Sequence, residues 1–212
     1  MRTRTREYRE LHRQLRSRDW KGKGYLTFLI SLSALLAITS IAFSGPFSWG
    51  HLVVILVAIL YSNFVEYSLH RWVLHYPFFL RGAYRIHTGV HHRFFTDKHM
   101  DYEEERDLFD ILTPFSNTLI IYALAGIAAL SFGMMSALNL GLLFFGVCLV
   151  YYILFELVHL GSHMSPKHWC HRIPLLSRGM RLHREHHDPK KMRLINFNIV
   201  VPVFDILFRT MG

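Results

Sequence analysis

Long uninterrupted apolar stretches alternate along this chain with short polar breaks. The first runs from Tyr25 to Ser44 and, after the Gly45-Pro46 break, a second runs from about Trp49 to Leu69. A third extends from about Leu112 to Phe132 and, after the turn Gly133-Met134-Met135-Ser136, a fourth from Ala137 to about Leu160. About 20 apolar residues make a helix that crosses the hydrocarbon core of a bilayer, so each stretch predicts a transmembrane helix and the short breaks predict two helical hairpins. The first 24 residues read differently: they hold nine Lys or Arg, with Tyr8, Leu11 and Leu15 at helical spacing and Trp20 just before the first span. That pattern predicts an amphipathic helix lying in a membrane interface. Basic-then-apolar order is also that of a secretory leader, but both segments are longer than a leader's. The expected organisation is a basic interfacial helix over 1–24 and one four-span domain over 25–212, with no internal repeat.

Charge adds orientation. All 24 Lys and Arg fall in the two tails and in the central loop from His70 to Ile111, and the breaks near Pro46 and Met134 carry none. An even number of spans puts both tails and that loop on one side, which the positive-inside rule makes cytoplasmic. The net charge of +9 beside so much apolar sequence points to anionic membrane lipid as a partner, and away from nucleic acid. The resulting fold class is all-α and integral to a membrane, with four transmembrane helices and a cytoplasmic helical cap. The membrane is the cell membrane in a bacterium or the endoplasmic reticulum in a eukaryote. Two cysteines make neither a disulfide framework nor a thiolate metal site.

Histidine carries the candidate chemistry. Ten of the fifteen histidines fall into four groups: His70 and His75; His87, His91 and His92; His159 and His163; His183, His186 and His187. The first and third groups end the second and fourth spans, and the other two lie in the segments that follow, so all ten share the charged side. Residues four apart share a helix face, which predicts that His87 with His91, His159 with His163, and His183 with His187 each clamp a metal. His70 and His75 are about 140° apart on an α-helix, and with His92 and His186 they suit a second ion nearby. One structural zinc needs only four ligands, so ten imidazoles argue for two metals. His12, His51, His99, His168 and His171 are scattered and read as interfacial. Glu66 and Glu156 precede His70 and His159 by four and three residues and are expected to accept the free ring N–H of a ligating histidine. The acidic run Asp101, Glu103, Glu104, Glu105, Asp107 and Asp110 reads as a solvated loop face or a docking patch for a basic redox partner.

The strings EYSLHRWVLH, HTGVHH, FELVHLGSH and RLHREHH resemble the histidine boxes of the fatty acid hydroxylase superfamily, which includes sterol desaturases and carotenoid hydroxylases. With the closing NFNIVVPVFDILFRT the likeness covers about Val53 to Thr210. The resemblance implies a pair of metal ions, iron by type, with zinc as a replacement in purified protein. The ten histidines are then ligands, and dioxygen and two electrons attack an unactivated C–H bond of a lipid, a fatty acyl chain first. Three residues separate His87 from His91, a spacing also seen in related alkane hydroxylases and desaturases, so desaturation and sterol or carotenoid substrates stand as alternatives. With no haem domain fused, electrons are expected from a separate ferredoxin-like or small haem protein. A metal transporter is the reading from another class, but its ligands belong near the bilayer midplane on broken helices. A bis-histidine haem protein leaves most of the ten unexplained.

Overall fold

The computed structural model describes residues 2–17 and 19–212, so Arg18, one of the nine basic residues of the leading segment, lies outside it. The protein is all-α: the described residues contain no strand, only an isolated bridge between Thr96 and His99. Among them, four helices are long and apolar enough to cross a membrane: α2 (Gly22–Ala42), α3 (Trp49–Ser68), α6 (Phe115–Met135) and α7 (Leu138–Ser162). This is a membrane protein. The shorter helices are α1 (Arg2–Gln14), α4 (Arg81–Tyr84), α5 (His92–Phe94), α8 (Pro174–His186) and α9 (Val203–Leu207). The second span does not stop near Leu69 but runs on through a π-helical turn, Leu69–Leu74, and a second π-helical turn, Arg85–His91, follows α4.

The chain divides into two compact units. One comprises Leu26–Phe64 and Thr113–Glu156, the bulk of the four spans. Its core is Val54, Ala58, Ala125, Ala129, Leu143, Phe144 and Cys148. Lipid tails are as apolar as leucine, so helices in a bilayer associate through close packing of small residues and interhelical hydrogen bonds. Both are present. A Cβ on Gly141 of α7 would stand 2.6 Å from the Ala129 carbonyl oxygen of α6, so only glycine permits that approach. Tyr61 donates to the Leu124 carbonyl at 2.9 Å, the Asn63 amide to the Tyr151 hydroxyl at 2.7 Å, and Asn139 to the Ser44 carbonyl at 2.8 Å. Gly45, at φ +87, makes the turn between α2 and α3. Leu35, Ile38, Phe43, Val53, Leu56, Ile127 and Leu130 are exposed, the surface that hydrocarbon would cover.

The other unit comprises Met1–Tyr25, Val65–Leu112 and Leu157–Gly212. Arg9 and Arg13 on α1 and Arg16 just past its end recur at helical spacing and turn to carboxylates. Arg13 makes a fork to Asp107 at 2.7 Å on both oxygens, Arg9 reaches Asp107 at 3.3 Å, and Arg16 pairs with Asp110 at 2.5 Å. Asp107 is wholly buried, and its carboxylate also accepts the backbone N–H groups of Glu103 and Glu104. Asp107 and Asp110 are therefore not part of a solvated loop face, because arginines of the leading segment supply their counter-charges, while Glu103 and Glu105 stay exposed. Leu11 on α1 and Leu15 just past its end stay exposed. In the C-terminal segment two carboxylates satisfy the backbone of a buried irregular stretch. Asp205 accepts the N–H groups of Phe197 and Asn198, and Glu66 those of Ile199 and Val200 together with the Asn198 side-chain amide.

Candidate metal centre

Ten ring side chains meet inside the second unit, and the π-helical turns decide how they are shared out. A π-helix bonds residue i to i+5, so residues five apart come onto one face. His70 and His75 flank the first such turn and His87 and His92 the second, and with His186 these four make one group. His91, His163, His183 and His187 make another, and within each group the ligand nitrogens lie within 4.8 Å of one another. The expected pairing of His87 with His91 on one metal is thus replaced, since the turn that carries them is not an α-helix. In contrast, His183 and His187, four apart across the last turn of α8, do meet, Nε2 to Nε2 at 3.0 Å. His159 lies against the second group, its Nε2 3.4 Å from that of His91. None of His12, His51, His99, His168 and His171 belongs to either group.

Backbone carbonyls aim the rings. Nδ1 of His70 lies 2.6 Å from the Phe197 oxygen, that of His91 2.6 Å from Asp110 O, and that of His163 3.0 Å from Met100 O. His186 reaches Ile195 O at 2.7 Å and His187 reaches Phe95 O at 2.7 Å. A carbonyl can only accept, so each of these Nδ1 atoms carries the proton and each Nε2 keeps a lone pair. For His75 the Thr88 hydroxyl, which donates to Leu74 O at 2.7 Å, turns its own lone pair to Nδ1 at 3.2 Å and sets the same tautomer. Glu66 was expected to take the His70 ring proton. A peptide carbonyl does so instead, and Glu66 acts one step back, on the backbone beside Phe197. Glu156 is wholly buried, and the Thr113 N–H points to its carboxylate at 3.5 Å.

The consequence is an electrostatic contradiction that protein atoms alone leave unresolved. Nε2 of His75 and His186 stand 2.9 Å apart, and those of His91 and His187 3.1 Å apart, with a lone pair on each and no proton between. Nε2 of His70 and of His163 are buried without a hydrogen-bond partner. Protonation does not relieve this. Burial and the neighbouring imidazoles push the histidines beyond the spans down, His91 to about 4 and His87, His92, His163, His183, His186 and His187 well below their ordinary value. A cation bound among the nitrogens resolves it, and an all-imidazole donor set of this size fits two divalent transition-metal ions.

The profile of the fatty acid hydroxylase family matches residues 55–210, a stretch that contains all ten histidines, Glu66 and Glu156. The chain belongs to the fatty acid hydroxylase family. No curated protein and no solved structure matches it. Membership makes this hydroxylase-family chain an oxidoreductase of the membrane, and it accords with a metal-dependent site in the histidine groups. Sequence reasoning missed Thr88, Asn198 and Asp205 and the whole set of carbonyl acceptors, since backbone atoms leave no mark on residue type. One signal was legible: the five-residue spacing repeated in His70/His75 and His87/His92 is the spacing a π-turn brings together.

Proposed function

We propose that this fatty acid hydroxylase family member is a membrane-bound di-iron oxygenase that hydroxylates an unactivated C–H bond of a lipid, in the first place a fatty acyl chain. The observation that carries the reading is the pair of tautomer-locked Nε2···Nε2 contacts, His75 with His186 and His91 with His187, one in each histidine group. The ten histidines are the ligands, five around each ion, with His159 completing the group of His91. When bound, iron supplies the activation of dioxygen with two electrons from a separate donor, one oxygen atom going to the C–H bond and the other leaving as water. What the chain itself does is steric and electrostatic. The carbonyls of Phe95, Met100, Asp110, Ile195 and Phe197 keep Nδ1 of His187, His163, His91, His186 and His70 protonated and turn those five Nε2 atoms inward. Burial of His75, His163, His183, His186 and His187 keeps water off the nitrogens and keeps the rings neutral. The charged tails and loop face the cytoplasm, where a soluble ferredoxin-like or small haem protein delivers electrons.

Metal analysis and lipid analysis together test the reading. Purified protein should contain about two irons per chain and no haem, and His91→Ala or His186→Ala should lower the metal content and reduce turnover at least about 100-fold. Mass spectrometry of lipids from cells with and without the protein should show one lipid class heavier by one oxygen. A class lighter by two hydrogens would convert the reading to desaturation, and full metal content in both variants would sink it.

A further inference from the structure

The two histidine groups take their carbonyls from different stretches of chain. His70 and His186 are aimed by Phe197 and Ile195. His91, His163 and His187 are aimed by Asp110, Met100 and Phe95, all within residues 95–110. Apart from the 3-10 turn Glu105–Asp110 and one bridge that stretch is irregular, so something outside it must hold its shape. The side chains that grip it come mainly from α1. Arg9, 3% exposed, donates to Asp101 O at 3.0 Å, next to Met100, and its guanidinium lies 4.8 Å from the Phe94 ring and 5.5 Å from the Phe95 ring. Arg13 forks onto Asp107, which caps the 3-10 turn. Arg16 pairs with the carboxylate of Asp110, the residue whose carbonyl takes the His91 proton, and stacks 3.9 Å over Phe109. Tyr8 donates to Gly89 O, two residues before His91. A second anchor, Arg184 on α8, holds Asp101 and the Ser162 and Met164 carbonyls, close to His163. Nothing comparable links α1 to Ile195 or Phe197 among the described residues, where Glu66 and Asp205 do the holding.

We infer that α1 is a positioning element chiefly for one of the two metals, the one bound by His91, His163, His183 and His187, since it meets the other group's chain at Gly89 and Phe94, beside His87 and His92, without gripping the Ile195 and Phe197 carbonyls that aim His186 and His70. The basic leading helix is thereby part of the metal centre, and the chain carries two differently braced half-sites. This rests on the two-metal reading above. Outer groups that orient ligating histidines govern metal retention by about 10-fold or more, and here that leverage falls chiefly on one ion.

The test counts iron in full-length protein, loaded anaerobically with ferrous iron and then exposed to EDTA, by plasma mass spectrometry over time. Arg13→Gln should release one iron about 10-fold faster than the parent and the second at the parent rate, with Arg13→Lys restoring most of the retention. Site assignment comes from backgrounds with one half-site removed. In His186→Ala, Arg13→Gln should make the remaining iron labile, and in His183→Ala it should not. A general loosening of the fold would accelerate loss in both backgrounds, and that result, or no acceleration in either, overturns the inference. Should Arg13→Gln fail to elute as a folded species, Arg16→Gln puts the same question through Asp110. Parent protein that never holds about two irons overturns the two-metal reading itself, a different failure from two firmly held irons indifferent to α1.

Discussion

The four-span unit and the histidine-bearing unit both bury polar side chains, but they complete them differently. In the first, hydroxyl and amide groups pair with protein partners across helices: Ser33 with Tyr122 at 2.6 Å, Thr118 with Tyr152 at 2.9 Å, Asn63 with Tyr151 at 2.7 Å. In the second, one nitrogen of each of five rings is bound to a carbonyl while the other points at a neighbouring lone pair or at no partner. The first pattern is finished by the chain and its lipid. On the proposed reading the second is finished by bound ions, so the two units should answer very differently to the same treatments.

Metal removal gives the largest contrast. Stripping the ions should cost about 4 kcal/mol of stability per site where free metal normally stands at 1,000 times the dissociation constant. Limited proteolysis of stripped protein should then cut within residues 65–112 and 157–212 first, and equal cleavage in residues 26–64 would remove the distinction. Acid comes next. An unfolded histidine takes a proton near pH 6.5, whereas folded His91 does so only near 4 and its neighbours lower still. Between those values the unfolded chain binds more protons than the folded one, so the histidine-bearing unit is most stable above about pH 6.5 and weakens as pH falls toward 4. Metal retention followed from pH 7.5 to 5 should drop steeply, and a flat profile would contradict the neutral cluster.

The smaller effects belong to the four-span unit. Leu143→Ala opens a cavity in its core and should cost about 3 kcal/mol in a detergent unfolding titration, with the metal content of the folded fraction unchanged. Tyr61→Phe removes only the hydrogen bond to Leu124 O and should cost about 0.6 kcal/mol, the usual scale for such bonds between membrane helices. Loss of metal in either variant would show that the two units are not energetically separable.

Apolar run length was enough to place four helices, because the bilayer admits few other ways to satisfy a backbone. Their ends were less legible. The second span continues to Leu74 because a π-turn carries it past Ser68, and residue types do not advertise that change of hydrogen bonding. The acidic run shows the same limit. Its charge was plain, but only packing reveals that Arg9, Arg13 and Arg16 meet it from some ninety residues away in sequence.

What the sequence determined by itself is the class of the protein: four membrane helices, ten clustered histidines and the family motif they compose, all local properties of residue type and spacing. Only the tertiary structure decided which histidines come together in one group. His87 and His91 look like partners at α-helical spacing, yet they part company because the turn between them is π-helical. It also decided what aims the rings, since the acceptors are peptide carbonyls brought from distant stretches, and a carbonyl is the same whatever side chain it carries.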